Sequence, residues 1–114
     1  MIEAVKTYCR AETEGDREAF MRLFADDVMH EDPVPLARRH GAEGLAELWE
    51  MSQASNVDLR LESDVIVCGN EAIGIMRAET GPPGQRRVIA PIIDHFVFNE
   101  DGKIASVRAF YNFG

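Results

Sequence analysis

The chain has 114 residues, a length that suits one domain built on one core. Its formal net charge of -8 argues against nucleic acid and anionic membrane surfaces, both of which require a basic face, and leaves a neutral apolar ligand open. A hydrophobic content of 46% is too high for disorder, and no apolar run approaches the length of a membrane span.

In chain order, Met1 to Lys6 lacks the apolar core of a secretory signal. Ala4, Val5, Tyr8 and Cys9 then form a helical stripe that predicts a helix over about residues 2–14. Gly15-Asp16 breaks it, with Asp16 placed to cap a second helix whose buried face is Ala19, Phe20, Leu23 and Phe24. A short strand beginning at Val28 is expected to stop before Pro33, which cannot continue a ladder. Arg38-Arg39-His40 reads as a solvated basic loop. Gly41 to Gln53 makes a third helix with Leu45, Leu48 and Trp49 on one side.

The second half reads as strands. Val57, Leu59 and Leu61 alternate with polar residues, and Ile73 and Ile75 begin a further strand. Gly81-Pro82-Pro83-Gly84 is a turn, and Val88 to Phe98 a long strand. Asn99 to Gly102 turns into a last strand over about residues 103–112. Helices first and strands later predict an α+β domain, its helices packed on one face of a mostly antiparallel sheet. Cys9 and Cys68 lie far apart without metal or redox spacing, so free thiols in a reducing cytoplasm are expected.

Asp94 interrupts the apolar row of the long strand. Side chains alternate with period two, so it shares a face with Ala90, Ile92, Phe96 and Phe98. Either that face meets solvent at Asp94, or a carboxyl group is buried for a task. Burial would raise its pKa, and a neutral carboxylic acid can donate a hydrogen bond to an oxyanion. Asp32 precedes Pro33 and shares a face with Val28 and His30 if the strand is regular. It is then an ordinary Asp-Pro turn residue or a general base at the mouth of an apolar pocket. Tyr8 on its amphipathic helix is a core residue unless its phenol converges with Asp94. No His or Cys spacing supports a metal, and His95 points away from the Asp94 face.

Phe24-Ala25-Asp26-Asp27-Val28-Met29-His30-Glu31-Asp32-Pro33-Val34 and Ala90-Pro91-Ile92-Ile93-Asp94-His95-Phe96-Val97-Phe98-Asn99 resemble two stretches of the bacterial Δ5-3-ketosteroid isomerases. That family lies within the nuclear transport factor 2-like, or SnoaL-like, superfamily. Tyr8 falls on the family's first-helix Tyr, and Arg108-Ala109-Phe110 resembles its last core strand. The resemblance implies a cone-shaped curved sheet wrapped around the helices, and a homodimer formed through the sheet's outer face. It implies a cofactor-independent isomerase of a steroid-like ketone, with Asp32 as general base and Tyr8 and Asp94 as donors to the ketone oxygen. Phe20, Phe24, Trp49, Met76 and Phe96 are candidates to line the apolar substrate pocket, and are core otherwise.

Three departures from the family pattern bear on the substrate. Trp49 lies where members tend to carry a Tyr that supports the oxyanion-hole network, so the tuning of Tyr8 should differ. The chain ends at Gly114, sooner than is typical, so one pocket wall is expected to be missing or supplied differently. The Gly81–Gly84 hairpin also differs in length. Rival readings on the same scaffold are a polyketide cyclase, a dehydratase with His30 and Asp32 facing the cavity, and a non-catalytic binding module.

Overall fold

The structure is a computed structural model describing residues 1–113. Helix α1 (Ile2–Glu14) buries Val5, Tyr8, Cys9, Ala11 and Glu12 along one side. It ends at Gly15, whose φ of 73° is left-handed and suits glycine. Asp16 caps the next helix as expected, its Oδ1 accepting from the Ala19 amide at 3.2 Å.

That second helix, α2 (Arg17–Met21), is shorter than the sequence suggests. Phe24 belongs not to its buried face but to strand β1 (Phe24–Glu31), which starts four residues before Val28. The helical stripe through Phe24 is coincidental: Phe20 and Phe24 still touch, at 5.0 Å between ring centres, but across a helix–strand junction. Arg38–His40 is likewise not a loop. It forms β2, paired antiparallel with β1 through Met29–His40 and Glu31–Arg38.

Helix α3 (Gly41–Ala54) follows, then β3 (Asp58–Leu61), β4 (Ile66–Cys68), β5 (Glu71–Thr80), β6 (Arg87–Phe98) and β7 (Ile104–Phe110). The strands order as β2-β1-β7-β6-β5-β3, with β4 also on β5, and every pairing is antiparallel except β1 with β7. Helix α1 packs on β3 at one edge of the sheet and α3 on β1 near the other. One sheet therefore curls around both helices, giving the expected α+β architecture with a concave face that holds the core.

Burial in β6 alternates from Ile92 onward, with Ile92, Asp94, Phe96 and Phe98 inward. Ala90 departs from the expected row and is exposed. The register explains this: Met76 pairs with Ile92 but Ala78 with Ile89, so β6 carries an extra residue beside Pro91. The bulge turns Ile89 rather than Ala90 toward the interior. On β5 the buried face is Ala72, Gly74, Met76 and Ala78, leaving Ile73 and Ile75 on the outer side.

Candidate active site

A cavity of about 330 Å³ opens between the concave sheet face and helices α1 and α3. Tyr8, Asp32 and Asp94 all line it. Residues separated by up to 86 positions thus meet in one space, which neither spacing nor periodicity could establish. The aliphatic part of the wall comes from Leu48, Val57, Leu59, Ala78, Ile89 and Ile92.

The five large side chains expected to line the pocket do not. Phe20, Phe24, Trp49, Met76 and Phe96 are buried but absent from the cavity wall. Phe20 packs on Trp49 at 4.8 Å and on Tyr8 at 5.3 Å, and Phe96 meets Tyr8 edge-on at 5.3 Å. Large rings fill the space behind Tyr8 by packing on one another, which leaves the open part of the cavity to smaller aliphatic residues. Trp49 therefore works through packing, not as a hydrogen-bonding wall residue.

Asp32 lies just past the end of β1, where its amide donates to the Ala37 carbonyl at 2.9 Å and closes the loop around Pro33. Its Oδ1 accepts from the Tyr111 hydroxyl at 2.8 Å. Burial raises its pKa, while the Tyr111 hydrogen bond and the Arg39 charge pull it back. Arg39, on β2, lines the cavity and pairs with Glu47 at 3.2 Å.

Asp94 has no such support. It is buried on β6 with no partner for Oδ1, and desolvation together with the charges of Asp32 and Glu12 holds its pKa well above the usual carboxylate range. Burial thus favours its protonated form, which can donate a hydrogen bond. Burial likewise keeps the Tyr8 phenol protonated.

Four further residues belong to the site. Glu12, one helical turn beyond Tyr8, lines the cavity and accepts from Ser52 Oγ at 2.9 Å. Desolvation pushes its pKa up to about 7. Its signal was present in the sequence, since Val5, Tyr8 and Glu12 fall on one helical face. Tyr111 and Arg39 gave no local signal because their roles depend on strand pairing. His30 is buried behind Tyr8 rather than on the cavity wall, with Nε2 3.0 Å from the Tyr8 hydroxyl. The hydroxyl's protein partner is thus His30, on β1, and not Trp49. The neighbouring Glu31 faces the other way, held by Arg108 at 2.8 Å and Arg38 at 3.2 Å. His95 also points outward, to Glu71 at 2.6 Å.

Among the described residues, no group of three His, Cys, Asp or Glu is arranged to hold a metal ion, and no helix is long and apolar enough to cross a membrane. Cys9 and Cys68 are both free thiols, the first buried and the second exposed.

With this geometry in hand, comparison with known proteins is decisive for the family. The SnoaL-like domain matches residues 5–107. The chain belongs to the SnoaL-like family. It is also a homologue of the steroid delta-isomerase of Nocardioides simplex, at 32% identity over 95% of this chain and 86% of the relative. Among solved structures, the epoxide hydrolase/cyclase-like enzyme SalBIII, described in pyran ring formation in the polyether salinomycin, superposes with a TM-score of 0.88. It is 26% identical, with 97% of this chain and 89% of that one covered. A protein from Mycobacterium tuberculosis gives a TM-score of 0.85 at 21% identity, covering 96% and 89% of the two chains. A putative polyketide cyclase from Sinorhizobium meliloti gives 0.77 at 22%, covering 96% and 94%. These last two bear on the fold alone, which is nuclear transport factor 2-like.

Proposed function

We propose that the protein is a cofactor-independent isomerase that moves a carbon–carbon double bond from the β,γ to the α,β position of a ketone in a 3-oxo-steroid or similar hydrophobic molecule. The observation that carries this reading is the separation of acidities within one cavity. The Tyr111 hydrogen bond and the Arg39 charge favour the ionised form of Asp32, while burial favours the protonated forms of Asp94 and Tyr8. A site with one supported carboxylate and two neutral donors is equipped for proton abstraction next to a carbonyl. Relationship to a steroid delta-isomerase supports the substrate class.

The steps balance without any outside reagent. Asp32 takes a proton from the carbon between the ketone and the double bond. The released electron pair forms a new carbon–carbon double bond, and the carbonyl electrons move onto oxygen. Tyr8 and Asp94 donate to that oxygen, and preorganised donors in a water-poor cavity stabilise it more than the starting ketone. The protonated Asp32 then returns the proton two carbons further along, and the double bond emerges conjugated.

The reading is tested by adding androst-5-ene-3,17-dione and following the ultraviolet absorbance of the conjugated enone. Conversion well above buffer is expected; binding without conversion would leave only a ligand-binding module. A cyclase remains the second reading, because Glu12 adds a third carboxyl that can share acid and base roles with Asp32 in ring closure. A dehydratase is less well served, since His30 stands behind Tyr8 instead of facing the cavity with Asp32.

A further inference from the structure

Tyr8 has one proton, and two groups compete for it. Its hydroxyl lies 3.0 Å from His30 Nε2, the two rings are nearly parallel at 9°, and both residues are buried. The hydrogen bond between them runs in one of two directions. If Nδ1 carries the imidazole proton, Nε2 is a bare acceptor and Tyr8 spends its proton there. The phenol would then turn lone pairs toward the cavity and repel a developing oxyanion. If Nε2 carries the proton, His30 donates to the Tyr8 oxygen and the phenolic O–H is free for a ligand.

The far nitrogen discriminates. Nδ1 is buried and has no hydrogen-bond partner among the described residues. A proton there would be an orphaned buried donor, and orphaned buried N–H groups are rarer in folded proteins than under-satisfied acceptors. Burial and the nearby Arg39 charge lower the His30 pKa to about 3, so the ring is neutral and carries a single proton.

We infer that His30 is held as its Nε2–H tautomer and is a positioning residue for Tyr8, donating to the phenol oxygen and turning the phenol proton toward the ligand's oxygen. The inference rests on the reading of Tyr8 as an oxyanion donor. A chain from His30 to Tyr8 to ligand also polarises in one direction, which strengthens each member. The aromatic cluster of Phe20, Phe24 and Phe96 around Tyr8 holds the phenol in place, so the direction of the proton is what His30 decides.

The test uses the full chain with 4-nitrophenol, whose phenolate imitates an enolate oxygen and reports its own ionisation by absorbance. In ¹⁵N-histidine-labelled protein, the His30 nitrogen shifts should show Nε2 protonated and Nδ1 bare, the His30 signals being identified by their loss in His30→Gln. His30→Leu should weaken 4-nitrophenolate binding about tenfold, the worth of one hydrogen bond to a charged network. His30→Gln, which keeps an amide N–H near the position of Nε2, should recover part of that loss. The opposite tautomer makes the opposite demand: His30→Leu would free the Tyr8 proton and leave binding unchanged or tighter, which would overturn the inference. If His30→Leu does not fold, the wild-type shifts decide alone, and a proton on Nδ1 refutes it. Tyr8→Phe separates the underlying reading: if it binds 4-nitrophenolate as wild type does, Tyr8 is no oxyanion donor and both ideas fall. Loss in Tyr8→Phe without loss in His30→Leu removes His30 alone.

Discussion

Replacing Glu12 by glutamine removes a buried proton-binding site at nearly constant shape. Glu12 stands at a folded-state pKa of about 7 against an ordinary value of 4.5, raised chiefly by desolvation. Between those values the folded chain keeps a proton that the unfolded chain has released. Stability from this residue is therefore fully present below 4.5 and lost as the pH rises through about 7. At about 1.4 kcal/mol per pH unit, the loss amounts to roughly 3 kcal/mol. Glutamine cannot ionise and still offers an oxygen to Ser52, so Glu12→Gln should escape it. Urea unfolding of both proteins at about pH 5 and about pH 8 measures the difference directly. The variant should gain on wild type by up to about 3 kcal/mol over that range, or about 10 °C in melting temperature for a domain of this size. Parallel pH dependences would refute the reasoning and mean that Glu12 reaches water in solution.

Three further outcomes are expected. Tyr8→Phe should reduce turnover by about 10²–10³, the usual value of an oxyanion donor, and an unchanged rate would remove that role. Tyr111→Phe deletes the 2.8 Å hydrogen bond that holds the Asp32 pKa down, so the acidic limb of the kcat/KM profile should move to higher pH; an unmoved limb would show that Tyr111 does not tune the base. Ile75, Ile93 and Phe110 face each other in register across the outer side of β5, β6 and β7, and we propose that two copies pair through this row. Ile93→Glu should convert a dimer to a monomer in sedimentation analysis, and a wild-type monomer would end that proposal.

Much of the fold was legible because its elements are local. The stripe through Val5, Tyr8 and Cys9 gave α1 to within a residue, and the Gly15-Asp16 break marked its end correctly. The alternation in Val88 to Phe98 put Asp94 in the apolar row without deciding whether that face was buried; the row holds until the bulge beside Pro91 shifts the register, and the folded sheet buries it. Strand β2 was missed because three polar residues carry no periodicity; Arg38 to His40 is a strand through its pairing with β1. Pocket lining failed for a different reason. Hydrophobic size identifies what is buried, but not whether it packs on protein or faces a void, and Phe20, Phe24, Trp49, Met76 and Phe96 all pack on protein. Tyr111 carried no signal for a related cause, and His30 was noticed only as a possible partner of Asp32 and not of Tyr8: each acts through a contact closed only by the folded chain.

The most direct test of the central claim compares wild type with Asp32→Asn on androst-5-ene-3,17-dione, at a ligand concentration shown by separate titration to occupy both proteins equally. Asparagine keeps the shape and the Tyr111 contact but cannot take a carbon-bound proton. Rapid formation of the conjugated enone by wild type and a severe loss in the variant, with binding intact, is the expected result. Equal turnover by the two proteins would contradict it and strip Asp32 of its role as the base.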